Sequence, residues 1–328
     1  MNKTFLLRSV FLAGFCLLGV IITDALFNAV VLPRIVIERT ENDYKTCVAQ
    51  GNKHLQCAFF GDSHAQFDVH PRYIPGSFNF GIGGENFIKA YYKIRKIIER
   101  EHVVIDRAFL EVDLHSFSTF VQPKNNILSD FWYFKRFMSY TEIHDITKEP
   151  YSAIFVTAQF PFIGRGADFF RLANSKGELY LGWEKHRYNF IDNSVAEREK
   201  IARNRVNMMF SGTMMEPLSV DYFIKTVQLL KKHKVPIVLI KYPLSSDYDD
   251  ALSRYGIKKE EFYGKVSAII EKIYPLFVTL DYQDLFLNRI EYFGDADHLN
   301  FCGARALSEQ IFKDMQKYPL QNSSEAGQ

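Results

Sequence analysis

The sequence predicts a three-layer α/β/α sandwich built on a mainly parallel sheet. Short apolar runs alternate with segments of helical periodicity, and several of the runs stop at a glycine or a group of polar, chemically capable residues. The 328 residues are 47% hydrophobic, enough for a substantial core. Alternation of this kind implies βαβ units with right-handed crossovers. It also places catalytic loops at the C-terminal ends of the strands.

The N-terminus is of another kind. Lys3 and Arg8 precede an apolar run from Val10 that continues, less cleanly past Asp24 and Asn28, to Leu32. That is long enough to cross a bilayer, with Asp24 toward the far interface. Two readings compete for residues 1–33, an uncleaved anchor and a cleaved signal peptide. The anchor is favoured because no small-x-small site closely follows the run, and Phe15 spoils a lipoprotein reading of Cys16. Lys3, Arg8 and the amino terminus favour a cytoplasmic N-terminus, while Arg34 and Arg39 pull the other way. The expectation is a single-pass membrane protein with its larger domain extracytoplasmic, periplasmic or extracellular.

Residues 34–54 read as a polar linker and 55–320 as the sandwich. Gln56–Phe60 is a short apolar strand ending at Gly61, and Ser77–Phe80 a second one ending in a glycine cluster. Glu85–Arg100 has helical spacing, with Ile88, Tyr91, Tyr92, Ile94, Ile97 and Ile98 on one side. Arg107–Val112 is a third strand. Tyr222–Lys234 is a helix whose basic end, Lys231-Lys232-His233-Lys234, suits the negative end of the helix dipole. Val235–Lys241 follows as a strand, Glu260–Tyr274 as a helix, Leu276–Asp281 as the fifth strand and Gly303–Lys317 as a closing helix.

Residues 116–219 break the alternation and read as an insertion between strands 3 and 4. They are rich in aromatic residues, as in Phe131-Trp132-Tyr133-Phe134 and around Phe160-Pro161-Phe162. Two uses fit, a substrate platform near the site and an aromatic mini-core or membrane-facing surface. The tail 321–328 is polar and expected to be disordered.

A net charge of +2 gives no reason to expect nucleic acid as a partner. Among the four cysteines, Cys47 and Cys57 either pair in an oxidising compartment or stay as small hydrophobes, and Cys302 reads as packed. No cysteine–histidine spacing resembles a zinc site, so no metal and no cofactor is expected.

The chemistry concentrates in two places. Ser63 stands in Gly61-Asp62-Ser63-His64, at the end of the first strand. Near the C-terminus the chain reads Gly294-Asp295-Ala296-Asp297-His298. A serine hydroxyl is a weak nucleophile until a histidine takes its proton and a carboxylate fixes the histidine tautomer. Ser63, His298 and Asp295 are candidates for these roles. Asp297 is the rival carboxylate, and the residues alone leave the two open.

These blocks resemble the SGNH (GDSL-type) hydrolase family. Asn79-Phe80-Gly81-Ile82-Gly83-Gly84-Glu85 lies where that family carries its second block, and Gly84 matches its oxyanion-hole glycine. The resemblance covers roughly residues 55–115 and 220–317. The third block departs from the family's Gly-x-Asn-Asp, since Glu111-Val112-Asp113-Leu114-His115 stands in its place. His115 falls where the asparagine donor would be, and an imidazole N–H is expected to substitute for it.

The resemblance implies a flavodoxin-like fold and acyl-ester chemistry, either hydrolysis or O-acyl transfer. With the N-terminal anchor, it also looks like bacterial envelope proteins of alginate O-acetylation and of D-alanyl transfer. That implies an acylated small-molecule or glycan substrate and a multi-spanning membrane O-acyltransferase partner. The rival expectation is a non-catalytic protein that uses the same fold to bind glycan or scaffold a membrane complex. The altered third block supports the rival; the intact Ser63, Asp295 and His298 oppose it.

Overall fold

In the computed structural model of the chain, the described residues are 3–31, 53–121, 138–160, 162, 186 and 188–317. Cys47, the 34–52 part of the linker, most of the aromatic stretches and the 321–328 tail lie outside them. The chain separates into two compact units, Met1–Asn42 with Lys124–Leu179, and Asp43–Pro123 with Tyr180–Gln328. Of the 116–219 stretch, residues 124–179 fall in the first unit, and 116–123 and 180–219 in the second.

The first unit holds helix α1 (Lys3–Leu26), the one helix among the described residues long and apolar enough to span a bilayer. None of its residues is buried. Within it Phe5, Leu12, Phe15 and Leu17 are exposed, which suits lipid rather than water around it. Two short helices complete what is described of this unit, α4 (Tyr140–Thr147) and α5 (Tyr151–Gln159). A Ser139–Glu142 capping box starts α4, as the Ser-x-x-Glu spacing predicts.

The second unit is the sandwich. Its five-stranded parallel sheet consists of β1 (Cys57–Phe60), β2 (Ser77–Asn79), β3 (Ala108–Glu111), β4 (Ile237–Lys241) and β5 (Val278–Asp281). Their spatial order is β2-β1-β3-β4-β5, the flavodoxin-like order. All residues of β1 and β3 are buried, so these strands read as unbroken apolar runs rather than alternating ones. The register pairs Phe59 with Phe109, Leu110 with Leu239 and Ile240 with Leu280. The Phe59 and Phe109 rings stack at 4.4 Å in the centre of the core.

Helices α2 (Ser63–Asp68), α3 (Phe87–Arg95), α6 (Val195–Phe210), α7 (Pro217–Lys232), α8 (Ser246–Tyr255), α9 (Lys259–Glu271) and α10 (Phe301–Lys317) belong to this unit. Helix α10 buries Ala304, Leu307, Ser308 and Ile311, one face at helical spacing. The basic end of α7 is tied to its neighbours. Lys232 and His233 both reach Glu99, at 2.8 and 3.1 Å, and Lys231 donates to the Ile273 carbonyl. Helices α6 and α8, which pack together, were not anticipated from periodicity.

Cysteine chemistry is quiet. Cys57 is a free thiol, and burial pushes it up to about 12. Cys302 is exposed rather than packed, because it lies on the outer face of α10.

Candidate active site

The order in which strands join the parallel sheet reverses between β1 and β3, the switch point where such sheets leave a crevice at the carboxyl ends of the strands. The turn after β1 carries the nucleophile candidate. Asp62 caps α2 by accepting the His64 N–H at 2.9 Å, which leaves Ser63 as the first helical residue, half-buried. Asn79, at the end of β2, ties the next loop to this helix. Its Nδ2 donates to the Ala65 and Val69 carbonyls, and its Oδ1 accepts the Gly81 N–H.

The structure brings Ser63, His298 and Asp295 together. His298 Nε2 lies 2.8 Å from Ser63 Oγ, and His298 Nδ1 lies 2.9 Å from Asp295 Oδ2. Asp295 Oδ1 also accepts the backbone N–H groups of Asp297 and His298, at 3.1 and 2.9 Å, so the loop curls around its own carboxylate. Four further ties hold the loop in place. Asp68 accepts the Leu299 N–H, Ser245 donates to the Ala296 carbonyl, Arg205 donates to Asp297, and Phe293 bridges to Leu299.

Asp297, the rival carboxylate, faces elsewhere. Its Oδ2 takes the Arg205 guanidinium at 3.0 Å, and its Oδ1 stands 3.7 Å from His298 Nδ1. Burial alone would raise Asp295, but His298 and His186 outweigh it and hold the carboxyl well below the usual range. Asp295 is thus ionised at neutral pH.

His186 is the residue that sequence reasoning missed. Its Nε2 lies 3.2 Å from Asp295 Oδ2, and its ring lies parallel to that of His298 with centroids 5.9 Å apart. Gly294 makes room for it, since a Cβ there would fall 2.1 Å from His186 Nδ1. Nothing in the sequence flags a lone histidine in an irregular stretch. Burial would lower His186, and the Asp295 carboxylate more than offsets this, so it is raised.

Gly84 sits in the loop after β2 at φ +73°, a conformation open to glycine. Its N–H has no hydrogen-bond partner among the described residues, whereas the Gly83 N–H is held by Gln66 Oε1 at 2.5 Å. The loop is braced from below by buried Lys93, which pairs with Glu85 at 2.7 Å and donates to the Phe80 carbonyl. Burial still pushes the Glu85 carboxyl up to about 7.

His115 is placed where an oxyanion role does not fit. It is buried, and its Nε2 bonds Asp62 Oδ2 at 2.6 Å, behind the nucleophile turn. The expectation of an imidazole donor in place of the missing asparagine therefore gives way to a supporting contact. The short helical turn Leu114–Phe117 swings the ring toward the Asp62 cap.

Around it lies a buried polar group. Glu111 accepts the Asp62 N–H and the Ser116 hydroxyl, and burial pushes its carboxyl well up. His64 Nδ1 lies 2.9 Å from Asp113 Oδ2, and its Nε2 3.5 Å from Asp297 Oδ2. Both are ion-pair contacts off the hydrogen-bonding line. Burial would lower His64, yet Asp113, Asp297 and Asp62 raise it well above the usual imidazole range. Asp113 also accepts the Tyr242 N–H, linking the ends of β3 and β4. Among the described residues three groups have metal-ligand spacing: Asp62, His64, Glu111 and His115; His64, Asp297 and His298; His186, Asp295 and His298.

No family model and no curated protein matches this chain. Among solved structures it is similar to a "putative acylhydrolase" from Bacteroides fragilis, at 11% identity over 84% of this chain and 97% of that one, TM-score 0.39. A GDSL-like lipase from Bacteroides thetaiotaomicron matches at 10% identity over 85% of this chain and 99% of that one, TM-score 0.39.

Proposed function

We propose that this chain is an SGNH-type serine enzyme acting on acyl esters. The observation that carries the reading is the unbroken series Ser63 Oγ, His298, Asp295, with contacts of 2.8 and 2.9 Å. Asp295 holds the proton on His298 Nδ1, which leaves Nε2 free to accept. Ser63 Oγ then attacks the ester carbonyl as Nε2 takes its proton, and the carbonyl oxygen becomes an oxyanion. The N–H groups of Gly84 and Ser63 are the donors assigned to it. Nε2–H next protonates the departing alkoxide, leaving an acyl-serine. Water, or a hydroxyl of a second substrate, attacks the acyl carbon as His298 Nε2 takes its proton; the acyl–Ser63 bond then breaks and Nε2 returns the proton to Ser63 Oγ, releasing the acid or the new ester.

The finer reading is an extracytoplasmic O-acyltransferase or esterase of a cell-envelope glycan, anchored by α1 and working with a multi-spanning O-acyltransferase. It is supported by the resemblance of the three blocks taken with the apolar helix at the N-terminus. Hydrolysis and transfer share every residue of the site, since they differ only in the second nucleophile.

Two measurements test the serine mechanism. A fluorophosphonate probe should label the wild-type protein at Ser63. Ser63→Ala should abolish labelling and lower kcat on p-nitrophenyl acetate by up to about 10⁶-fold, with the fold intact by circular dichroism. Near-wild-type turnover in Ser63→Ala would sink the mechanism, and a wild-type protein inert to both reagents would favour the glycan-binding alternative.

A further inference from the structure

We propose that His186 Nε2, Asp295 Oδ2 and His298 Nδ1 form a binding site for a divalent transition-metal ion of the zinc type, and that occupancy switches off the serine–histidine pair. Two imidazoles and a carboxylate form a familiar three-ligand set for such an ion, with a fourth position open to water. The three ligand atoms all lie within 4.8 Å of one another. Tetrahedral zinc with bonds of about 2.0–2.1 Å holds its ligand atoms roughly 3.3 Å apart. Asp295 Oδ2 already stands 2.9 Å from His298 Nδ1 and 3.2 Å from His186 Nε2. A small outward shift of the carboxylate, with the two imidazole nitrogens, now within 4.8 Å of each other, drawn onto the ion, completes the spacing.

Two further observations favour an ion. Asp297 Oδ1 is buried, has no hydrogen-bond partner among the described residues, and stands 3.7 Å from His298 Nδ1. It adds negative charge beside the same nitrogen. The Asp295 side chain is 36% exposed, which gives an ion a way in from solvent. The group Asp62, His64, Glu111 and His115 has comparable spacing, but all four are buried behind the nucleophile turn.

The consequence for catalysis follows from proton bookkeeping and rests on the triad reading; the site itself does not. In the working triad the His298 proton is on Nδ1 and the Nε2 lone pair faces Ser63. A metal on Nδ1 needs the lone pair there, so that proton leaves to solvent and a neutral ring regains one on Nε2. Nε2–H then donates to Ser63 Oγ and can no longer accept its proton. Asp295, held by the ion, ceases to orient the ring. Chelation of the ion restores the original tautomer.

The test uses the full chain in detergent, with Cys16→Ser and Cys302→Ser in every variant to remove the two exposed thiols among the described residues. Calorimetric titration of the Ser63→Ala variant with ZnCl₂ should show one ion per chain. Adding His186→Gln should weaken that affinity at least about tenfold. X-ray absorption of the zinc-loaded Ser63→Ala protein should show nitrogen and oxygen ligands with two imidazoles, a readout that needs no variant at His186. ZnCl₂ should also inhibit p-nitrophenyl acetate hydrolysis by the Ser63-containing protein, reversed by EDTA, while MgCl₂ at the same concentration does not. No stoichiometric zinc, affinity unchanged by His186→Gln, or a sulfur-containing or single-imidazole ligand set overturns the site. Zinc bound there without loss of hydrolysis overturns the switch and leaves the site. Absence of hydrolysis in metal-free protein counts against the serine mechanism, while the titration still decides the metal site.

Discussion

Asp62 is held from several sides, and its neighbours show why the nucleophile turn has so little freedom. Its carboxylate accepts the His64 N–H and bonds His115, and its own N–H is taken by Glu111. Burial would raise this carboxyl, but His115 and His64 outweigh it and hold it low. His115→Ala would leave a buried carboxylate short of a partner, a loss of order 3–5 kcal/mol. The expected outcome is a lower urea midpoint, with a smaller fall in kcat than the roughly 10²–10³ of a lost oxyanion donor. A large fall in kcat at unchanged stability would return His115 to the oxyanion hole. His115 was legible as a residue near the site, four positions past Glu111, where β3 ends. Its partner was not, because the turn Leu114–Phe117 sets the direction of the ring.

Among the elements, β1 with α2 and β2 with the glycine loop make one mechanical unit through Asn79. Parallel strands buried on both faces betray themselves as unbroken apolar runs, so β1, β3 and β4 were readable within a residue or two. Helix α6 buries only Ala202, Val206, Met209 and Phe210, so its periodicity is faint, and α8 is a ten-residue helix that buries Tyr248, Ala251 and Leu252. Helix α1 is the opposite case, apolar over most of its length and with no buried residue. The anchor reading expects the mature protein to stay in the membrane fraction after carbonate washing, at its full mass. A soluble, shortened species would show a cleaved signal instead.

At the scale of the whole molecule, stability should depend on pH through His64. It lies among Asp113, Asp297 and Asp62, and its proton affinity is raised in the folded state. A raised imidazole contributes stability that is fully present below its unfolded value of about 6.5 and is lost as pH rises through the folded value. His64→Gln should therefore destabilise most at pH 6, by about 3–5 kcal/mol, because three carboxylates lose their shared cation. The gap in urea midpoint should shrink steadily toward pH 9.5. Glu111 and Asp68, whose carboxyls burial pushes up, bend the profile of both proteins alike, so the difference isolates His64. A gap that stays constant with pH would show that His64 is neutral.

Local chemistry in the sequence determined the fold class, the parallel strands, the apolar N-terminal helix and the Ser63, Asp295 and His298 set. Strands, helices and a short catalytic loop are each specified by residues close together along the chain. Three matters were decided only by tertiary structure. His186 joins Asp295 from 109 positions away, a contact that no local pattern encodes. Arg205, on the faint helix α6, takes Asp297 and so leaves Asp295 to orient His298. His115 turns to the Asp62 cap because a buried carboxylate demands a donor more strongly than an empty oxyanion hole does. In each case the partner is chosen by the cost of burying charge, which exists only once the chain has folded around it.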